Sequence, residues 1–295
     1  DKVMAVVHAH NYQPDSRAAS LRGGQTRTLG FILPDLENAS YAKLAKRLEQ
    51  GARAQGYQLL IVCSEDDPAT EKELAEMLAS RHVDALLVAS CLPPEDPFYL
   101  GLQTRGIQVL AIDRAMDDEY FASVISEDMQ GAIRLTDSLL ASQPQSIGLI
   151  GAVADIAISQ QRELGFRKAI SYSAPQLIPQ IQYGDHFSRE VGAHLCATWI
   201  KEGRVPQAIL TTSYVLLEGV LDELVQHPEL LAVTRLATFG DNRLLDYLPI
   251  RVNALPQQFP LIAEKALTLT LNAIHEQYKP GIHVIPRVLK VRAND

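Results

Sequence analysis

The sequence predicts an α/β protein of two similar lobes, each a parallel sheet flanked by helices. Three observations carry this. Short apolar, β-branched runs alternate with helix-patterned stretches along the chain. The alternation falls into two series of similar length, the second starting at Ser146. At 295 residues the chain is long for one core and suits two.

Residues 2–9, KVMAVVHA, have the pattern of a helix end, which Asn11 and Pro14 stop. Asp15-Ser16 can cap a short helix, SRAASL, closed by Gly23-Gly24. A strand follows over 28–33, closed by Pro34. In SYAKLAKRLEQGARAQG, Leu44 and Leu48 are four apart and Ala45 and Ala52 seven apart, a helical stripe ending at Gly56. The pattern repeats with strand 57–63, helix 70–82, strand 83–90, short helix 96–106 and strand 107–112. SVISED (123–128) then leads into a helix over 130–142. The second series reads strand 146–151, helix 159–172, strand 177–183, helix 188–203, strand 207–212, helix 215–227, and strands 235–240 and 251–255. A helix over 260–278 and a terminal strand HVIPRVLKV (283–291) complete the chain. Residues 143–145 are the expected first crossing between lobes.

The net charge of −8 argues against a surface that coats nucleic acid non-specifically. The charge is uneven, however: over residues 1–27, Lys2, Arg17, Arg22 and Arg27 outnumber Asp1 and Asp15. A basic arm on an acidic body can touch phosphates locally, although so short a segment can also be basic by chance. Cys63, Cys91 and Cys196 are widely spaced, with no C-x-x-C pair, which fits buried thiols in a reducing compartment. No apolar run approaches the ~18 residues of a membrane span and no leader pattern is visible; a processed chain would have lost its leader, so export stays open, but the thiols favour a cytoplasmic location without membrane contact.

In open parallel sheets, ligands sit beyond the carboxyl ends of the strands. The polar residues there are Asp35 to Ser40, Ser64-Glu65, Ser90, Asp113-Arg114 and Glu127-Asp128 in the first series. In the second they are Ser159 to Arg162, Thr212-Ser213, Asp241-Asn242-Arg243 and Gln257-Gln258. Carboxylates and amides suit sugar hydroxyls. Arginine binds phosphate or carboxylate bidentately, so Arg114 and Arg162 could grip one anion between lobes. Against this, either arginine could be a surface ion pair, and Asp113, Asp128 and Asp241 could be helix caps. Enzyme signatures are weak: there is no G-x-G-x-x-G after a strand, no P-loop, no G-x-S-x-G elbow and no H-x-x-x-H zinc spacing. Asp113 with Asp128 could form a hydrolytic carboxylate pair, but hydroxyl binding without chemistry is the favoured reading. No cofactor or metal is expected.

The segment NYQPDSRAASLRGGQTRTLGFILPDLENASY resembles the linker and first strand of the lac-repressor/galactose-repressor family. Further matches run in order along the whole chain: VDALLVAS, IDR at 112–114, RELGF at 162–166, SRE at 188–190, FGDN at 239–242 and a final PQQF. Within the family, the runs YQLLIVCSEDDP, LPPEDPFY, IDRAMDDEYFASV, TTSYVLLEGVLD and ATFGDNRLLDYL are similar to the fructose-responsive regulators of carbon metabolism.

The resemblance implies a periplasmic-binding-protein-like effector domain that dimerises or tetramerises, with operator DNA as a partner of the full-length protein. Residues 1–27 would be the remnant of a DNA-binding headpiece, its helix-turn-helix absent. Its hinge helix would place Leu21 in the minor groove, with Arg17 and Arg22 on the backbone. The family chain crosses three times, which assigns 28–143 plus 259–281 to the first lobe and 144–258 plus 282–295 to the second. The effector, a fructose phosphate with fructose 1-phosphate preferred, would lie between lobes. Its implied contacts are Ser40, Ser90, Asp113, Arg114, Asp128, Arg162, Ser213, Asp241 and Gln257, with Glu127 able to take the place of Asp128. Ser90 and Ser213 stand where relatives often carry Asn. Gly240 stands where relatives tend to carry an aromatic, which leaves room at the sugar ring. A transport-type sugar-binding protein is the alternative.

Overall fold

The computed structural model describes residues 25–292. The expected helix end at 2–9, the SRAASL helix and the hinge residues Arg17, Leu21 and Arg22 lie outside them.

The chain divides into two compact units. The first takes the chain up to Val124 together with Pro260–His283. Its strands are β1 (Thr28–Leu33), β2 (Gln58–Cys63), β3 (Ala85–Val88), β4 (Gln108–Ile112), β5 (Ala122–Ser126) and β11 (Gly281–Ile285). They form one sheet in the order β11-β5-β4-β3-β1-β2, with β1/β2, β1/β3, β3/β4 and β4/β5 parallel. Helices α1 (Ala39–Ala54), α2 (Pro68–Ser80), α3 (Phe98–Thr104) and α9 (Phe259–Ile274) accompany it. Asn38 and Asp67 cap α1 and α2 by accepting from the backbone N–H groups of Ser40 and Thr70. One apolar core gathers Ile32, Leu78, Leu86, Val88, Tyr99 and Phe121.

The second unit, Ile125–Phe259 with the chain from Val284, repeats the plan. Its strands β6 (Ile147–Ala152), β7 (Gln180–Gly184), β8 (Ala208–Thr211), β9 (Arg235–Phe239) and β10 (Val252–Leu255) run in the order β10-β9-β8-β6-β7, all parallel. Numbered within each unit, both sheets share the strand order 2-1-3-4-5, with β11 added to the first. That order places a switch point between β1 and β3, and again between β6 and β8. Helices α4 (Met129–Leu140) and α5 (Ala157–Ser173) bury Leu135, Leu139, Phe166 and Ile170 against Ile147, Leu149, Leu210 and Phe239. Helices α6 (Arg189–Lys201) and α7 (Tyr214–Val225) bury Trp199, Leu216 and Val220 against Ile150, Ile209 and Leu236.

Four expectations are corrected. Residues 125–143 belong with the second unit, because the apolar face of α4 packs on that unit's core; the first crossing is at Val124/Ile125. The other two crossings fall at Phe259/Pro260 and His283/Val284. The terminal strand stops at Ile285, since Pro286 has no N–H to continue a ladder; beyond it Lys290 makes one isolated bridge to Ala254. Two short elements escaped the periodic pattern: α8 (Pro228–Val233), started by Pro at its first position, and a 3₁₀ turn at Arg243–Asp246.

Gly165 on α5 is a close-approach glycine. A Cβ there would lie 2.3 Å from Met129 O and 2.7 Å from the Ala132 side chain. Gly165→Ala is expected to force α4 and α5 apart and to cost about 1–3 kcal/mol in urea denaturation. Gly101→Ala, where a Cβ meets nothing within 4 Å on α3, is expected to be neutral or stabilising by up to ~1 kcal/mol.

Candidate functional site

In the second unit, the close approach of α4 and α5 brings two predicted residues together. Arg162 projects from α5 and donates from Nε to Asp128 Oδ1 at 2.7 Å, and from Nη1 to the Thr212 carbonyl at 2.5 Å. Asp128 stands at the start of α4 but makes no side-chain cap bond; its carboxylate serves arginine instead. A second guanidinium, Arg287, reaches the same Oδ1 at 3.0 Å and also donates to Leu255 O at 3.4 Å. Both guanidinium carbons lie near the Phe239 ring, at 4.3 Å for Arg162 and 5.2 Å for Arg287. Both arginines are buried. Close by, the buried Thr212 hydroxyl has no hydrogen-bond partner. Buried polar groups are almost always satisfied; the Thr212 hydroxyl beside this guanidinium is an exception. The chemistry suited to this corner is anion binding with an added hydroxyl contact.

Asp241 lies just beyond β9, after Gly240 at φ +85°. The glycine is required there by backbone geometry, a more direct reason than room for a sugar ring. Asp241 Oδ1 accepts from Arg292 Nη2 at 2.7 Å, and Lys290 Nζ reaches Oδ2 at 3.5 Å. Asn242, not Asp241, caps the following 3₁₀ turn. Ser213 is the N-cap of α7, accepting from Leu216 N–H. Gln257 donates to Ser126 Oγ at 3.0 Å. Glu127 pairs with Arg134 at 2.8 Å, and Ser159 donates to Ala152 O.

In the first unit, Arg114 forks onto Asp66, at 2.6 and 3.2 Å, and its Nη1 lies 3.4 Å from the Ser90 carbonyl. Its buried Nε has no hydrogen-bond partner. Burial opposes the charge, but the carboxylates of Asp66 and Asp113 outweigh it and hold Arg114 protonated. Asp113 sits at φ +68° and accepts from Tyr41 OH at 2.8 Å; burial, then the Asp113 charge, raises the Tyr41 phenol. Ser40 is the second residue of α1, next to Tyr41, and its N–H donates to Asn38 Oδ1. The Ser90 hydroxyl points inward and donates to the fully buried Glu71 at 2.5 Å. Glu71 also accepts from Cys91 N–H at 2.7 Å and Tyr99 OH at 2.8 Å.

The sequence reading missed Asp66, Glu71, Arg287, Lys290 and Arg292. Asp66 and Glu71 lie after β2, past the rim positions Ser64-Glu65. Arg287 and Lys290 lie in the segment expected as a strand over 283–291 and Arg292 just beyond it, where nothing local marks them. Asp113 and Asp128 belong to different units and each has its own partners, Tyr41 for one and two arginines for the other. Among the described residues, no group of three or more His, Cys, Asp or Glu is placed to hold a metal ion. Among them, too, no helix is long and apolar enough to cross a membrane.

Two outcomes follow from these charges. Asp128→Ala strips two buried guanidiniums of their shared carboxylate and is expected to cost about 3–5 kcal/mol in urea denaturation; Arg162→Ala should cost less, because Arg287 still pairs with Asp128. Burial, then Glu71, pushes the Cys91 thiol up to about 12. At pH 9 it should therefore alkylate at least about tenfold more slowly than a free thiol of ordinary pKa, as read by mass spectrometry of the labelled peptide.

Residues 26–215 match the family described as periplasmic binding proteins and sugar binding domain of LacI family. The fructose operon regulatory protein of Vibrio cholerae is 54% identical over 291 residues, covering 99% of this chain and 89% of that protein. The catabolite repressor/activator of Escherichia coli K12 is 41% identical over 295 residues, covering 100% and 86%. The crystal structure of the Cra transcriptional dual regulator from Pseudomonas putida, in complex with fructose 1-phosphate, matches with a TM-score of 0.85 at 50% identity, covering 91% of this chain and 99% of that one. With the repeated parallel-sheet plan and the ordered IDR, RELGF and FGDN positions on the page, the chain belongs to the LacI family.

Proposed function

We propose that this chain is the effector-binding part of a DNA-binding transcription regulator of sugar and central carbon metabolism, and that its effector is a fructose phosphate, fructose 1-phosphate first. The observation that carries the reading is the buried Arg162–Asp128 pair beside the unpartnered Thr212 hydroxyl. A cationic corner with a spare hydroxyl suits a phosphorylated polyol better than a neutral sugar. The Pseudomonas putida relative, itself in complex with fructose 1-phosphate, supports the same ligand class.

In this reading Arg162 and Arg114 contact the phosphate. Asp113, Asp128 and Asp241 accept from sugar hydroxyls, and Ser40, Ser90, Ser213 and Gln257 supply neutral contacts. Arg287, which shares Asp128 with Arg162, joins this set. Residues 1–27 are proposed as DNA-binding headpiece and hinge helix, with Leu21, Arg17 and Arg22 of the hinge on operator DNA. Effector binding lowers operator affinity because the ligand favours the conformation that binds DNA less well. The protein acts in the cytoplasm as a homodimer or tetramer and returns its ligand chemically unchanged. The family description also covers periplasmic sugar-binding proteins; 54% identity to an operon regulator over nearly the whole chain favours the regulator.

Calorimetric titration tests this with fructose 1-phosphate, fructose 1,6-bisphosphate and fructose, on the chain and on Arg162→Ala. The expected result is binding of a phosphate ester, no heat with fructose, and a loss of at least about 2 kcal/mol of binding with Arg162→Ala. Silence with all three ligands overturns the effector assignment. Recovery of altered sugar from the cell would point to an enzyme.

A further inference from the structure

We infer that Arg292 is a positioning residue for effector recognition: from the chain after β11 it holds the Asp241 carboxylate where a ligand hydroxyl can donate to it. This rests on the effector reading above, in which Asp241 accepts from the sugar.

After Pro286 the chain leaves the sheet and runs beside β10. Lys290 and Ala254 exchange both backbone hydrogen bonds, at 2.8 and 3.0 Å, and Arg292 N–H donates to Asn253 Oδ1 at 3.0 Å. The backbone of this segment is thereby fixed before its side chains are considered. The Arg292 guanidinium, its side chain only 6% exposed, spreads over three acceptors. Nη2 donates to Asp241 Oδ1 at 2.7 Å, Nε to Asp246 Oδ1 at 2.8 Å and Nη1 to Val252 O at 2.9 Å. One planar fork thus joins β10, the 3₁₀ turn and the residue following Gly240. Lys290 adds bonds to Asp246 at 2.8 and 3.2 Å, but it is a flexible, half-exposed point charge.

Asp241 also meets Lys290 Nζ, at 3.5 Å from Oδ2, a longer contact than the 2.7 Å bond from Arg292. It lies in a connection outside the ladder, and Gly240, just before it, is tied to the sheet by its N–H to Leu255 O. A guanidinium bound at Oδ1 fixes the carboxylate plane and so the lone pairs of Oδ2. The Asp241 side chain retains 18% exposure, so it can meet a ligand while Arg292 stays covered. Lysine at 292 would keep the charge but lose the fork, so it is not a conservative replacement.

A double-mutant cycle on fructose 1-phosphate binding tests this, using Arg292→Gln, Asp241→Asn and the double variant, each checked by thermal melting. If Arg292 acts through Asp241, Arg292→Gln lowers affinity about tenfold, yet adds no more than about twofold in the Asp241→Asn background. A full further tenfold loss in that background shows that Arg292 acts elsewhere, and unchanged affinity in Arg292→Gln shows that it does not act at all. Either result overturns the inference. Where Arg292→Gln fails to fold, Arg292→Lys runs through the same cycle with the same criteria. Wild-type protein that binds no fructose phosphate overturns the effector reading and this inference together; wild-type binding without coupling overturns the role of Arg292 alone.

Discussion

The second unit is organised around one buried ion pair, Arg162 with Asp128, and the helix contact that makes it possible. An arginine this deeply buried is tolerable only with a carboxylate in good geometry and its remaining donors used. The carboxylate comes from the first turn of α4, which reaches α5 because Gly165 presents no side chain to Met129 O. Arg287 arrives on the same oxygen from the chain's third crossing, and Phe239 stacks close to both guanidiniums. A glycine, a pair of helices and the last segment of the chain therefore converge on one charge.

The first unit handles its buried charge differently. Glu71 has three neutral donors among its partners, Ser90 Oγ, Cys91 N–H and Tyr99 OH. A carboxylate accepting several hydrogen bonds can stay buried because they replace its lost hydration. The loop after β3 is thereby pinned to α2, and the Ser90 hydroxyl is spent on that task. Its carbonyl faces Arg114, whose fork is held by Asp66. Arginine on one rim is anchored by a solvent-touched aspartate, and on the other by a covered one. The two cationic corners are built from different parts on the same sheet topology.

The order of strands and helices along the chain was legible in the sequence, because both declare themselves through short-range periodicity, whereas the strand order within each sheet comes from the structure. Thr28–Leu33, Gln58–Cys63 and Ile147–Ala152 stand where apolar β-branched runs meet Pro, Gly or polar residues. The exceptions have local causes. Pro286 truncates the last strand, and six residues at Pro228–Val233 are too few to show a helical stripe. The first crossing was misplaced by a different kind of error. Which sheet α4 covers is a matter of packing, and its apolar stripe fits either core in principle.

Of the candidate site, the sequence by itself determined the chemistry on offer: carboxylates, amides and arginines at the carboxyl ends of strands, with Arg162, Asp113, Arg114 and Asp241 named through the family pattern. It also determined the fold class, since residue periods of two and 3.6 are properties of neighbours in the chain. Only the tertiary structure decided which of these groups share a charge. Asp128 meets Arg162 across 34 positions, and Arg287 across 159; Arg292 meets Asp241 across 51. Only it showed Ser90 turned inward to Glu71 and the Thr212 hydroxyl left without a partner. Contacts between residues so far apart leave no period in the sequence, because they arise from where whole elements pack rather than from the residues beside them.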